Sequence, residues 1–264
     1  MKVPLVCAAV FIAVAVTAAA WQGGGRWSKY ASEMQNPAPD PPDAGEKSEW
    51  AFARLRYRSQ GGFRRGGWGT DSNKAEQHFV QGVRRLSRVN ARSNEEVIDV
   101  DSDEVFDWPW LYAVEVGRWY LSDPQAKRLR TYLDRGGFLM VDDFHGGYEW
   151  DAFMQSLAKI FPDRPVVDIP DSDAIFHVLY NLEQRLQVPG HQYTYTGRTY
   201  ERQDGVDAHW RGVYDDNGRI LVAICHNSDL GDAWEWADDP QYPEKFASLA
   251  YRIGINYLIY ATTH

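Results

Sequence analysis

Residues 122–147 read SDPQAKRLRTYLDRGGFLMVDDFHGG, and this stretch decides the fold. Ser122 with Gln125 three residues later forms a capping box, which satisfies free N–H groups at a helix start. Ala126, Leu129 and Leu133 then share one helical face. Gly136 and Gly137 stop the helix, because glycine adopts the left-handed C-cap conformation at little cost. Phe138, Leu139, Met140 and Val141 follow without a polar break. A strand apolar on both sides is buried on both faces, as in a parallel sheet covered by helices.

The same alternation extends outward. Residues 51–58 alternate Phe52, Leu55 and Tyr57 with Arg54, Arg56 and Arg58, which predicts a half-buried first strand with solvated arginines. A loop rich in Gly61, Gly62, Gly66, Gly67 and Gly69 follows, with Arg64 and Arg65. It lacks the spacing of a phosphate or dinucleotide loop. Ala75, Phe79, Val83, Leu86 and Val89 predict a helix over 72–90. Strands are expected at 97–100 and 110–116, a helix over 150–160, a short strand at 166–169 and a short helix over 174–182. Asn217–Gly218 between apolar runs 210–214 and 219–224 signals an antiparallel hairpin. The last helix is expected over 243–260. The whole is an α/β fold: a doubly wound, mainly parallel sheet with an antiparallel hairpin near 210–224.

Before residue 50 the chain changes character. Lys2 gives a positive start, residues 5–16 are nearly all apolar, and Ala18, Ala19 and Ala20 fit a cleavage site. This is the pattern of a secretory signal peptide cut near Ala20. The apolar run is shorter than the ~20 residues of a membrane helix, so no span is expected in the mature chain. Residues 21–49 carry Gly23–Gly25, Pro37, Pro39, Pro41 and Pro42, and read as a disordered leader. Residues 50–264 form the single domain. Export to the periplasm or beyond is the expected localisation. The net charge of −9 argues against nucleic acid as a partner. Of two cysteines, only Cys225 survives cleavage. A lone thiol in an exported chain is expected to be buried rather than nucleophilic.

In doubly wound sheets, ligands bind beyond the carboxyl ends of the strands. That rule selects the candidate residues. Asp142, Asp143 and His145 follow one apolar strand; a carboxylate beside an imidazole can hold a divalent metal or orient an acid/base. Strand alternation would point Asp142 and Asp143 to opposite faces. The bland alternative is a helix cap with a surface histidine. His226, Asn227 and Asp229 follow a second apolar strand and are candidate ligand contacts. Trp234, Glu235 and Trp236 form an aromatic and acidic stretch of the type that binds sugars, unless the tryptophans are core. His177, His191 and His264 show no partners in the sequence.

Phe52–Tyr57, Leu133–Leu139, Asp142–Phe144 and Cys225–Trp236 together carry a resemblance. On these segments the chain resembles the domain of unknown function 4159 family, from about Phe52 to His264. The resemblance implies a fold similar to class I glutamine amidotransferases and trehalose-utilisation-type proteins. The former place a nucleophilic cysteine in a strand–helix elbow; the strand end Val141–His145 has none, so a non-glutaminase is expected. Some relatives resemble parts of cell-envelope systems, which implies an envelope protein as a partner. The leading expectation is an exported module binding a small polar ligand, a glycan piece or a protein. The alternative is a hydrolase-like enzyme using Asp142, Asp143 or His145, assisted by a divalent metal. Convergence of the candidate side chains within about 5 Å would favour the second.

Overall fold

The computed structural model describes residues 48–59 and 67–264. The signal-peptide reading, most of the leader reading and Arg64 and Arg65 lie outside these residues. Seven strands form one sheet, in the spatial order β3–β1–β4–β6–β9–β8–β7. They are β1 (Ala53–Arg56), β3 (Glu96–Asp99), β4 (Trp110–Val114), β6 (Phe138–Asp142), β7 (Val167–Asp168), β8 (His209–Tyr214) and β9 (Ile220–His226). The five from β3 to β9 run parallel, and β8 and β7 add an antiparallel edge. A separate antiparallel pair joins β2 (Arg58–Ser59) to β5 (Trp119–Tyr120).

The capped unit forms as the sequence predicts. Helix α2 (Asp123–Asp134) opens with Ser122 Oγ accepting from Gln125 N and Gln125 Oε1 accepting from Ser122 N. Gly136 sits at φ 101°, the left-handed region that releases the chain into β6. All five residues of β6 are buried. Trp110, Tyr112, Phe138 and Met140 point into a core with α1 (Lys74–Leu86), α5 (Leu230–Glu235) and α6 (Glu244–Thr263). Leu111, Ala113, Leu139 and Val141, in the opposite phase, are fully buried too. Both faces are therefore covered, with α2 and α3 (Gly146–Ile160) packed on each other. The tryptophan-rich composition has a packing explanation. Trp50, Phe52, Phe79, Trp110, Tyr112 and Trp234 form edge-to-face and tilted ring pairs with centroids 4.4–6.2 Å apart.

Three details differ from the expectations. β1 is buried on both sides, so Arg54 is not solvated: it is fully buried and ion-paired with Glu76 of α1. Helix α1 ends at Leu86, whose side chain is half exposed, so the apolar periodicity through Val89 runs past the packed turns. Over 174–182 only one 3₁₀ turn, Ala174–Phe176, forms. The segment from there to β8 is mostly irregular, with one short helix, α4 (Tyr193–Thr196). No helix among the described residues is long and apolar enough to cross a membrane.

From β1 the chain crosses through α1 to β3 on one side, then returns past β1 to β4 on the other. This reversal makes the β1/β4 gap the topological switch point, beyond whose carboxyl ends doubly wound sheets place their ligand crevice.

Candidate functional site

Each of the four neighbouring parallel strands β1, β4, β6 and β9 is followed by a carboxylate. Glu115 follows β4, Asp143 follows β6, Asp229 follows β9, and Asp71 lies on the loop between β1 and α1. Three of these residues have left-handed backbones: Asp71 at φ 60°, Glu115 at 50° and Asp143 at 51°. Asn227, just past β9, is the fourth non-glycine residue in that region among the described residues, at 62°. Such conformations cost energy and persist where the surroundings enforce them. Here they turn the chain out of strand alternation at the rim of one crevice.

Asp71 is held in place through Arg54. The guanidinium donates to Trp68 O (3.1 Å) and Thr70 O (2.8 Å) while pairing with Glu76. The Asp71 carbonyl accepts from Ala75 N (3.1 Å) at the start of α1. Asp143 and His145 are buried, and Asp143 Oδ1 lies 3.1 Å from His145 Nε2. Glu149 Oε2 accepts from His145 N (2.8 Å) and fixes the turn into α3. Glu201 comes from the irregular segment before β8, and its Oε2 lies 3.8 Å from His145 Nε2. That segment is tied to α3 by Gly147 N donating to Asp204 Oδ2 (2.8 Å). Gly190 lets the oxygens gather. A Cβ there would stand 2.7 Å from each of Asp229 Oδ2, Gln192 Oε1 and Glu201 Oε1.

Two ligand-type groups share Asp143. In Asp143–His145–Glu201 and in Asp71–Asp143–Asp229, one donor atom per residue lies within 4.8 Å of the others. A third group, Asp71–Asp232–Glu235, shares Asp71. Two ligands about 2.1 Å from one ion at a right angle stand about 3 Å apart, close to the Asp143–His145 separation. Burial is the largest effect pushing the Asp71, Asp143 and Asp229 carboxyls above their ordinary range. Repulsion adds to it: Asp232 acts on all three, and Asp143 on both Asp71 and Asp229. Arg54 opposes the shift at Asp71. A cation among these oxygens would neutralise them.

The other sequence candidates have different tasks. Asp142 points into the core side of the sheet. Its Oδ2 accepts from Tyr112 Oη (3.0 Å), Leu230 N (2.8 Å) and Gly231 N (3.0 Å), and so anchors the start of α5. Burial raises its carboxyl to about 7 against these three bonds. His226 lies against Phe144 and Trp150 with Nε2 3.2 Å from Gly146 O, and burial lowers its pKa to about 4. Asn227 Oδ1 accepts from Gly146 N (2.8 Å) and its Nδ2 donates to Asp207 O (2.7 Å), so it joins loops at the crevice. Asp229 belongs to the acidic group and also caps α5, accepting from Asp232 N (2.7 Å). Trp234 is fully buried against Phe79 and offers no ring face to a sugar in solvent. Glu235 is buried beside Asp71 and Asp232. Trp236 stacks on His191 with centroids 4.0 Å apart, which supplies the partner that His191 lacks in the sequence. Cys225 is fully buried, and burial pushes its thiol up, away from nucleophile chemistry.

Asp71, Glu115 and Glu201 were not among the sequence candidates. Glu115 obeys the strand-end rule, following the apolar run 110–114, and could have been found by it. Asp71 and Glu201 lie on loops with no periodicity to mark them.

Beside the acidic groups is a cleft of about 430 Å³. Its walls include His191, Gln192, Tyr195, Arg198, Tyr200 and Gln203, together with Glu201 and Asp232 from the acidic groups. Tyr195 is 75% exposed, with its ring open to solvent. No curated protein matches this chain. The family model described as Domain of unknown function (DUF4159) matches residues 51–262, and the chain belongs to that family.

Proposed function

We propose that this domain is a divalent-cation-assisted hydrolase acting on a small polar substrate, such as a glycan piece, held in the cleft. The observation that carries the reading is the meeting of Asp143 with His145 and Glu201, with Glu201 also forming part of the cleft wall. Asp143, His145 and Glu201 would hold the cation. A bound cation lowers the pKa of a ligated water toward 7. Such a water would pass its proton to a neighbouring carboxylate as its oxygen bonds to the substrate, and that proton would go to the leaving group as the scissile bond breaks.

The cleft favours a hydroxyl-rich ligand. Tyrosine rings offer apolar faces, while Gln192, Gln203 and Arg198 offer amide and guanidinium hydrogen bonds. The amino-terminal signal pattern supports export, and the family resemblance supports a place in the cell envelope. Cys225 has no part in the chemistry, in keeping with a non-glutaminase.

The test is a turnover assay on chromogenic glycosides, esters and amides, with Mn²⁺ and with EDTA. Cation-dependent release that His145→Ala abolishes supports the reading. Cation-independent binding of glycan fragments without turnover contradicts it and points to a ligand-binding module instead.

A further inference from the structure

We propose that the crevice holds two divalent cations rather than one, with Asp143 bridging them. This rests on the reading above, which places the first cation at Asp143, His145 and Glu201. The second would sit among Asp71, Asp143 and Asp229. A carboxylate has two oxygens, so Asp143 can serve both groups at once.

One residue of the second group carries a buried, unmatched oxygen. Asp71 is only 9% exposed, and its Oδ2 has no hydrogen-bond partner among the described residues. A buried acceptor without a partner is costly, and a cation is one way to satisfy it. The Arg54 guanidinium acts as a counter-charge to Asp71, but it is bonded to Glu76 and to two loop carbonyls. Charge favours two ions over one. Asp71, Asp143, Glu201 and Asp229 carry four carboxyls, and Asp232 and Glu235 stand beside Asp71, so two dications leave less negative charge uncompensated than one.

The two groups differ in chemistry. One imidazole with two carboxylates suits Mn²⁺, Fe²⁺ or Zn²⁺. Three carboxylates without nitrogen suit the hard ions Mg²⁺, Mn²⁺ and Ca²⁺. Mn²⁺ is accepted by both, so it is the ion to use. Ions that share a carboxylate sit about 3.5–4 Å apart and can stabilise the attacking and leaving oxygens of one displacement.

The experiment strips the full chain with EDTA, equilibrates it with Mn²⁺, and counts bound metal by mass spectrometry alongside low-temperature electron paramagnetic resonance. The expected result is two Mn²⁺ per chain with an exchange-coupled spectrum. Asp71→Asn, which keeps a residue tolerant of the left-handed backbone, should hold one ion and show an uncoupled six-line spectrum. One ion per chain in the unaltered protein overturns the bridged pair and leaves the single-cation reading standing. No bound ion overturns both. Two ions retained in Asp71→Asn overturn the assignment of the second site. The unaltered protein's spectrum decides the matter even if the variant fails to fold.

Discussion

Asp143 Oδ1 lies 3.1 Å from His145 Nε2, although the two residues are neighbours but one at the end of a strand. In a continuing strand both would point the same way, beside each other and facing one side of the sheet. Instead Asp143 turns left-handed at φ 51° and His145 becomes the N-cap of α3. The turn brings the pair together over the crevice, where Asp71, Asp229 and Glu201 also arrive. The pairing thus comes from an enforced backbone turn.

Removing the imidazole tests the pair. His145→Ala should leave the fold intact, because α3 keeps its packing and the His145 N bond to Glu149 uses the backbone. Mn²⁺ affinity should fall at least ~10-fold, the size expected when a metal-site partner is lost. Titration calorimetry measures the loss, and circular dichroism checks the fold.

Gly190 offers a test that leaves every ligand in place. Gly190→Ala puts a methyl 2.7 Å from Asp229 Oδ2, Gln192 Oε1 and Glu201 Oε1, closer than real contacts allow. These oxygens must separate. Cation affinity should drop, with little change in a melting temperature measured without metal. An unchanged affinity would show that these oxygens do not act together.

The raised carboxyls set a pH dependence for the metal-free protein. Asp142 has an ordinary value of 3.8 and about 7 in the fold. Between those values the folded state binds more protons than the unfolded chain, so stability falls as pH rises. Asp71, Asp143 and Asp229 are raised too and act in the same direction. The melting temperature without metal should therefore fall from pH 5 to pH 8. Added Mn²⁺ should restore it at pH 8 and do less at pH 5, where protons compete for the raised carboxyls.

His226 acts in the opposite direction. Its pKa falls from 6.5 to about 4 in the fold, so stability is lost as pH drops through that interval. His226→Gln can still donate to Gly146 O but does not titrate. Between pH 7 and pH 5 the unaltered protein should lose about 1–2 kcal/mol relative to this variant. Denaturant melts at the two pH values measure the difference.

Much of the scaffold was legible because it rests on local signals. The Ser122–Gln125 box, the Gly136 stop and the Asn217–Gly218 turn each fix a boundary by short-range backbone chemistry. Two apolar strands then led, by the strand-end rule, to Asp143, His145 and Asp229. Asp71 and Glu201 escaped because they reach the crevice through tertiary ties: Arg54 to the loop carbonyls, and Asp204 to Gly147. Buried Arg54 likewise looked solvated, since its partner Glu76 is on another element. Trp234 and Trp236, two residues apart, fitted either one face of a strand or the flanks of a turn. They lie at the end of a helix, where two residues turn the chain by roughly 200°, so one is core and the other meets His191. The spacing of Asp229 and Asp232, three residues apart, was the available sign of that helix.

The most direct test of the cation site is a calorimetric titration of Mn²⁺ into EDTA-treated protein, for the unaltered chain and for Asp143→Asn. Asp143 is the residue common to the two proposed cation sites. The account predicts saturable binding to the unaltered chain and its loss in a folded Asp143→Asn. Equal binding to both proteins, or no saturable binding to either, would contradict it.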